Sequence, residues 1–292
     1  MEVYLQLAEK YSNRLSQLKR QYNILSIFRL VIVVIFCLIF YSFVRTADPV
    51  KFGYLFLAVI SFLVIIKIHL RMGENIKMNE ALLNINTDEI TFLKHEGIPF
   101  ADGEEFKDAA HFYSYDLDFF GNRSLFHHLN RTAVYIGKMK LARALLSLLP
   151  EREIVLNQQA IKELSVKIDW RQQLAATGKI NNDSKVVFEK LMQWSGAKSN
   201  LLPKAVLIIG YVSPIILCAS LLWYALFKET LFLSIGNALI LLNLIVLSTQ
   251  YKKIRKELIS AEKVAKIIHQ YSMIIDKIEK EEFKSEKMLL LK

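Results

Sequence analysis

The chain has 292 residues, 53% of them hydrophobic, with a mean hydropathy of +0.28 and a formal net charge of +10. This hydropathy is too high for an ordinary soluble protein and too low for a chain that lies wholly in a membrane, so membrane and soluble parts are both expected. The only two cysteines, Cys37 and Cys218, lie inside apolar runs, which excludes a disulfide framework and a cysteine-based metal site.

The first seventy residues predict an amphipathic helix followed by a membrane hairpin. Residues 1–26 mix apolar and charged side chains at helical spacing. Within 27–70, apolar runs at 30–44 and 52–66 flank a short turn. Each run is close to the shortest length that crosses about 30 Å of hydrocarbon. Lys and Arg residues lie at the ends of the runs, as the positive-inside rule requires, and this placement accounts for most of the net charge.

A helical domain is predicted for residues 71–203 and a second transmembrane hairpin for 204–248. The second hairpin carries Asn237 and Asn243, whose amides we expect to bond across helices. Because each hairpin returns the chain to its starting side, both termini and the 71–203 domain share one compartment. The distribution of Lys and Arg makes that compartment the cytoplasm. The chain is therefore expected to be a multi-pass protein of the inner membrane.

The last segment, 249–292, predicts one long lever-like helix with a seam like that of a coiled coil. Apolar residues recur there at spacings of three or four, and Lys and Glu fill the other faces. The seam residues are Ile254, Leu258, Ala261, Val264, Ile268, Tyr271, Ile275 and Ile278.

Residues 115–149 carry the most specific pattern in the chain. Gly121 predicts a tight turn, and Ser124 is placed to cap a short helix over 124–129. A polar break at 130–132 follows, and then a second helix that contains Gly137. Glycine costs about 1 kcal/mol in a helix relative to alanine, so we expect another backbone to approach closely at Gly137. The same helix is expected to present one apolar face through Leu141, Leu145 and Leu148.

This order of residues resembles the start of the core (lever) domain of the MutS mismatch-repair family, over roughly residues 110–180. In that family an aspartate-leucine segment leads to G-x-x-S-L-x-x-x-L-(N/D)-x-T, then x-x-G-x-x-x-L-x-x-x-L, then a helix of the form I-x-x-(R/Q)-Q-x-A-(V/I)-x-E-L. The matching residues are Asp116, Gly121, Ser124, Leu125, Leu129, Asn130, Thr132, Gly137, Leu141, Leu145, Ile154, Gln158, Ala160, Ile161, Glu163 and Leu164.

The resemblance implies an ATPase, but the chain has no phosphate-binding loop. At its only Gly-Lys pair, Gly137-Lys138, Thr132 replaces the first glycine of the loop and Met139 replaces the magnesium-binding hydroxyl. ATP and Mg²⁺ are therefore expected on a nucleotide-binding domain, in cis or on a separate chain, and this chain is expected to be a truncated or split part without enzymatic activity. The family's mismatch-reading Phe-x-Glu domain is not evident. Family members dimerise, which implies a homodimer.

Five basic residues in and beside this block are candidates for contact with the backbone of double-stranded DNA: Arg123, Arg131, Lys138, Lys140 and Arg143. The alternative is a solvated helix face, because no aromatic platform interleaves with them. His127 and His128 do not predict a metal site, since adjacent histidines on a helix point about 100° apart.

Two functional hypotheses follow. In the first, the chain is the membrane-anchored N-terminal part of a MutS-related DNA mismatch-repair ATPase and serves as its structural core and lever. In the second, it is a non-catalytic membrane scaffold that uses the helical domain for protein–protein contacts and does not bind DNA. A transporter is disfavoured, because the four apolar runs contain no acidic residue.

Overall fold

The computed structural model describes residues 1–46, 49–181, 183–196 and 204–292, and every regular element in those ranges is helical. The predicted all-α fold is confirmed. A 3₁₀ turn lies at Glu104–Phe106. The α-helices are α1 (Glu2–Thr46), α2 (Pro49–Leu93), α3 (Leu125–Leu129), α4 (Tyr135–Leu146), α5 (Glu151–Ser165), α6 (Ile168–Lys179), α7 (Lys185–Gly196), α8 (Lys204–Phe227), α9 (Thr230–Lys280) and α10 (Glu286–Leu291).

The helices form two compact units whose bounds differ from the predicted domains. The first unit comprises Met1–Asp183 and Gln270–Lys292, and the second comprises Ser184–His269. The predicted hairpin 27–70 and most of the predicted 71–203 domain thus belong together. The reason is that α2 is a single helix that continues from the hairpin into the domain, so the chain does not separate near residue 70.

Helices α1 and α2 form an antiparallel pair. Lys51 at the start of α2 donates to the Ser42 hydroxyl near the end of α1 (2.8 Å), whereas Glu80 pairs with Lys19 (2.8 Å). Between these contacts the ring of Tyr22 stacks on that of His69, 3.9 Å between centroids. The amphipathic segment predicted for 1–26 is continuous with the apolar run that follows it, because α1 has no break at that point.

Three helices in the described part of the chain are long and apolar enough to cross a membrane. They lie at Glu2–Phe43, Val50–Leu93 and Thr230–Tyr251, and their apolar windows are almost entirely unburied. Helix α8 contains a shorter apolar stretch, Ile208–Tyr224. Both predicted hairpin regions therefore contain helices that can cross a membrane. Three of the described helices have the full length needed to do so.

The second unit contains a polar contact between α8 and α9. The Ser213 hydroxyl donates to the side-chain oxygen of Asn243 at 2.6 Å, and Trp223 packs on Phe232 with 5.3 Å between ring centroids. The expectation that Asn243 bonds across helices is confirmed. Such bonds stabilise helix pairs in an apolar environment because neither group has water as an alternative partner.

The C-terminal segment is not the single long helix that its sequence predicts. Helix α9 ends at Lys280 and α10 begins at Glu286. Between them Phe283 is buried and meets the Trp170 ring edge-on, at 5.4 Å between centroids. Glu163 on α5 accepts the backbone N–H groups of Lys284 (2.7 Å) and Ser285 (2.8 Å). Burial of Phe283 and the Glu163 bonds stabilise the break.

The buried face of α9 is also shifted from the predicted seam. Val264, Ile267 and Gln270 are buried, whereas Leu258, Ile268 and Ile275 of the predicted seam are exposed. The prediction assumed an apolar residue at every seam position. Gln270 lies outside the predicted seam and is nevertheless buried, because its amide donates to the backbone carbonyl of Gly178.

The predicted apolar face of α4 is correct for two of its three leucines. Leu141 and Leu145 pack against the buried cluster of Phe120, Phe126 and Ala142. Leu148 lies beyond the end of α4 and is 87% exposed, so its assignment is wrong. The helix stops at Leu146 because Pro150 lies ahead in the chain and favours extended backbone before it.

The core that joins α2 to α6 combines small apolar residues with one buried amide pair. Ala81, Leu82 and Ala176 form the apolar cluster. Beside it, the Asn86 amide donates to the Gln172 side-chain oxygen (3.1 Å) and the Gln172 amide donates back to Asn86 (2.8 Å). Both side chains are almost inaccessible to water. Two bonds between buried amides set the register of α6 along α2.

We expect Asn86→Ala to lower the free energy of unfolding by about 1–3 kcal/mol, because the Gln172 amide would be left buried without a partner. Thermal unfolding followed by circular dichroism in detergent measures the change. Asn84→Ala, on the exposed face of the same helix, is the matched control and should have an effect within about 0.5 kcal/mol. Equal effects of the two variants would contradict the assigned role of the amide pair.

Candidate functional site

One junction, where the loop after α2 meets α3 and the start of α4, brings together four of the motif residues: Gly121, Ser124, Asn130 and Thr132. Gly121 has φ +107°, and its N–H donates to the Asp102 carbonyl at 3.0 Å. Residues with a side chain rarely adopt this φ, so the turn favours glycine, whereas an added Cβ would meet only the movable end of the Glu104 side chain at 2.7 Å. The Ser124 hydroxyl accepts the His127 N–H at 3.2 Å, which confirms the predicted cap.

Asn130 connects the polar break to the loop that precedes it. Its side-chain amide donates to the Ala101 carbonyl at 2.8 Å. Its side-chain oxygen accepts both the N–H (3.1 Å) and the hydroxyl (2.6 Å) of Thr132. Asn130 is buried, so all three bonds are shielded from water. The Asn-x-Thr element of the motif is thus a turn that positions the entry to α4.

An aromatic cluster lies beneath this turn. Phe106, Phe120 and Phe126 meet with ring centroids 5.4–5.9 Å apart. Phe126 also lies against Gly103, where a Cβ would approach its ring to 2.6 Å. The rings connect the 3₁₀ turn, α3 and α4, and the backbone at Gly103 can approach the Phe126 ring because this residue carries no side chain.

Arg131, one of the five candidate DNA contacts, is bound inside the protein. Its guanidinium donates to both Glu89 carboxylate oxygens, at 2.7 and 3.2 Å, and also to the His128 carbonyl. The same group lies 3.7 Å from the ring centre of Phe100 and 4.6 Å from that of Phe92. The forked ion pair and the two rings engage the guanidinium within the protein, and 34% of the Arg131 side chain stays exposed. Arg131 therefore clamps the junction to the end of α2.

Of the other four basic candidates, one is paired within the protein and three are exposed. Lys138 pairs with Glu105 at 2.5 Å and lies over the Phe106 ring. Arg123, Lys140 and Arg143 are exposed, and the described ranges hold no ion pair to any of the three. The structure thus leaves three of the five candidates accessible to a nucleic-acid backbone.

The remaining motif residues contribute little to this junction. Gln158 and Asp116 are exposed, and Leu125 is 42% exposed. Glu163 lies on α5 and binds the N–H groups that precede α10, as described above. Gly137 lies inside α4, but the nearest atoms to an added Cβ are side-chain carbons of Thr132 and Val134 at 3.6 Å, an ordinary contact. The close approach expected at Gly137 is therefore wrong.

The close approach occurs instead at Gly178, which the sequence pattern did not single out. A Cβ there would lie 2.7 Å from Ala133 Cβ and 3.4 Å from the Ala133 carbonyl carbon. The Gly178 carbonyl also accepts the Gln270 amide. The end of α6, the entry to α4 and α9 thus meet at one glycine, which lies outside the resembling motif.

Asp183 is a second residue whose role the sequence did not reveal. Its carboxylate accepts the Tyr135 N–H at the start of α4 (2.9 Å) and the Tyr271 hydroxyl of α9 (2.7 Å). Burial raises the pKa of Tyr271 and the bond to the Asp183 carboxylate raises it further, so the phenol remains a donor at neutral pH. Asp183 therefore links α4 to α9.

A cleft of the first unit with a volume of about 560 Å³ adjoins Gly178 and Asp183. Its charged residues are partly paired: Lys179 lies 3.6 Å from Asp88, and Glu80 pairs with Lys19. No group of three His, Cys, Asp or Glu side chains in the described residues has the arrangement of a metal site. The cleft offers mixed charge and no nucleophile–base pair, so it supports no specific chemistry.

No protein-family model, curated protein or solved structure matches this chain. The part of the chain that the structure describes is all-helical, and three of its helices are long and apolar enough to cross a membrane. The likeness to the MutS family is carried by the motif residues alone.

Substitution by alanine should have opposite effects at Gly178 and Gly137. Gly178→Ala should lower the free energy of unfolding by about 1–3 kcal/mol, because its methyl group would overlap Ala133. Gly137→Ala should raise it by up to about 1 kcal/mol, because alanine is the better helix former and its methyl group fits. Thermal unfolding of both variants in detergent measures the difference, and a destabilised Gly137→Ala variant would contradict the assignment.

Arg131→Gln should destabilise the protein by about 2–3 kcal/mol, because Glu89 would keep a carboxylate that is only 15% exposed without its partner. Arg143→Gln, on the exposed face of α4, is the control and should change stability by less than about 0.5 kcal/mol. Denaturant unfolding in detergent compares the two. A loss of stability in both variants would show that Arg131 has no special structural role.

Proposed function

We propose that the chain is the membrane-anchored core and lever part of a MutS-related DNA-binding ATPase. In this proposal the chain has no enzymatic activity of its own. ATP and Mg²⁺ bind a nucleotide-binding domain, in cis or on a separate chain, and the helices of this chain couple that domain to the membrane. By the same resemblance the working form is a homodimer.

The observation that carries the proposal is the continuity of α2. This helix runs without a break from Pro49 to Leu93. Its first half has the length and apolarity of a membrane span. Its second half is held by the Asn86–Gln172 amide pair and, one turn later, by the Glu89–Arg131 clamp. A helix fixed in this way passes a displacement at one end to the other, which is the property a lever needs.

The MutS-related part of the proposal is supported by where the motif residues lie. Gly121, Ser124, Asn130 and Thr132 all shape the entry to α4, and Arg131 within the same element holds the end of α2. Residues that match a family motif in order and also serve one local structure are better evidence than the matches alone. Asp183, which joins α4 to α9, extends this junction to the long C-terminal helix.

The membrane topology in this proposal consists of two hairpins. α1 pairs with α2, and α8 with α9, the second pair being supported by the Ser213–Asn243 bond. Both termini and the helical domain lie on the cytoplasmic side of the inner membrane, because Lys and Arg are concentrated at the ends of the apolar runs that face that side.

The second candidate function is a membrane scaffold that binds proteins and not DNA. The observation that favours it is the internal use of Arg131 and Lys138, which removes two of the five candidate cations from the surface. Three exposed cations, Arg123, Lys140 and Arg143, remain for a DNA backbone.

Binding of double-stranded DNA by the full chain in detergent separates the two functions. If Arg123, Lys140 and Arg143 contact phosphates, affinity at 200 mM NaCl should be about 30–50-fold weaker than at 50 mM, because about three counterions are released. The double variant Lys140→Gln/Arg143→Gln should reduce this salt effect to about fourfold. Fluorescence anisotropy of a labelled duplex is the measurement.

Lys162→Gln, which removes an exposed charge on α5, is the control and should leave the salt effect unchanged. Absence of binding at 50 mM NaCl would contradict the DNA-binding part of the proposal and favour the scaffold.

A further inference from the structure

The α1–α2 hairpin carries an unusual charge pattern near its domain-side end. No Asp or Glu occurs between Glu9 and Asp48, or between Asp48 and Glu74. The cations in these stretches that lie toward the domain include Arg20 and Arg29 on α1 and Lys67 and Arg71 on α2. In the described ranges none of these four forms an ion pair; the neighbouring Lys19 is the one bound to Glu80. The hairpin thus has basic groups there, and the next acidic residues of its own, Glu74 and Glu80, follow on α2 toward the domain.

Arg29 lies deepest in the apolar part of the hairpin. It precedes the end of α1 at Thr46 by about 25 Å of helix, which places it near the far boundary of a hydrocarbon layer about 30 Å thick. Its neighbours Phe28 and Leu30 are 56% and 65% exposed. Because helical side chains tilt toward the N-terminus, Arg29 points toward the headgroup layer on the domain side. A charged group is therefore set into a surface that otherwise suits lipid.

The Arg29 side chain also has an unsatisfied donor. Its guanidinium lies 5.8 Å from the centre of the Phe62 ring, and its Nε is buried without a hydrogen-bond partner in the described structure. Tyr22 lies seven residues before Arg29 on α1, and His69 lies seven residues after Phe62 on α2. The two rings stack, and His69 is 7% exposed, with its Nδ1 also buried and without a hydrogen-bond partner in the described structure. The interface between α1 and α2 thus holds two polar atoms without hydrogen-bond partners, Arg29 Nε and His69 Nδ1, beside a basic surface.

An apolar groove between α1 and α2 lies next to Arg29, on the side toward the middle of the hairpin. It has a volume of about 200 Å³ and an almost wholly apolar lining, and it shares Phe62 with the Arg29 contact. The groove is lined by Ile32, Val33, Phe36, Ala58, Val59 and Phe62. A cation and an apolar groove in this order require a ligand that is anionic at one end and hydrocarbon at the other.

We infer that Arg29 and the adjoining groove form a binding site for one anionic phospholipid. The terminal N–H groups of the Arg29 guanidinium bind the headgroup phosphate, a pairing that its forked geometry favours. Part of an acyl chain occupies the groove, and Arg20, Lys67 and Arg71 supply the surrounding positive potential. A soluble phosphate ion would leave the groove empty, and DNA would bring no hydrocarbon, so a lipid fits this combination best.

This inference rests on the membrane insertion of α1 and α2, which the proposed function also requires, but not on the likeness to MutS. Lipid selectivity and duplex binding are measured separately, so either can fail while the other stands.

The test uses the full chain in nanodiscs that contain spin-labelled phosphatidylglycerol or spin-labelled phosphatidylcholine. Electron paramagnetic resonance gives the fraction of each lipid that is immobilised by the protein. The wild type should prefer the anionic lipid by about fivefold, and Arg29→Gln should bring the preference close to one. Arg45→Gln, a change of the same kind near the other end of α1, is the matched control and should keep the preference.

Two further variants protect the test from a folding defect. Arg29→Lys keeps the charge but loses the fork, so it should retain part of the preference. Ala58→Phe fills the groove and should reduce the immobilised anionic lipid, whereas Leu57→Phe, on an exposed position of the same helix, should not. Helix content from circular dichroism and incorporation into nanodiscs are checked for each variant.

The inference is overturned if wild-type protein holds both lipids equally, or if Arg45→Gln and Arg29→Gln lose the preference to the same extent. An excess of inorganic phosphate should leave the preference intact. If phosphate abolishes it, the site binds a free anion and the assignment to lipid is wrong. Failure of the wild type to enter nanodiscs would remove the membrane insertion on which the site depends and would overturn it as well.

Discussion

The structure of the first unit depends on how firmly α2 is held after its apolar half. Apolar packing in a helix that is able to cross a membrane gives little specific register, because lipid tails are as apolar as the side chains. The register comes instead from directional contacts further along: the paired amides of Asn86 and Gln172, and the Glu89–Arg131 fork one turn later. The amide pair is buried and the Glu89 carboxylate is only 15% exposed, so a shift of α2 would leave these polar groups without partners.

The junction around residues 121–132 positions Arg131 for its contact with α2. Gly103 lets the backbone approach the aromatic cluster, Gly121 permits the turn with a positive φ, and Asn130 directs the chain into α4. Arg131 follows Asn130 directly, so the turn that positions α4 also aims the guanidinium at α2. The residue that charge alone made a candidate for DNA contact is thereby a structural clamp. A basic residue beside a motif can either contact a ligand or form an ion pair within the protein, and a nearby carboxylate such as Glu89 favours the ion pair.

Local features were predicted well from the sequence, and contacts between distant segments were not. The Ser124 cap and the Gly121 turn follow from residue chemistry within four or five positions, and both are confirmed. Gly137 and Gly178 show the limit. Both are helical glycines, but only a fold that brings Ala133 against α6 makes Gly178 the crowded one. The break at 281–285 was missed because a buried site for Phe283 and the Glu163 bonds arise from residues more than a hundred positions away.

The amino-acid sequence by itself determined the helical class, the apolar lengths that suit a membrane and the turn at 121–132, because helix periodicity, hydropathy and capping act over a few residues. Tertiary structure decided which cations are free, which glycine is crowded and which carboxylate joins α4 to α9. Those outcomes depend on distances between residues such as Arg131 and Glu89, or Asp183 and Tyr271, that lie far apart in the chain. Periodicity carries no information about such distances, which are set only when the helices pack.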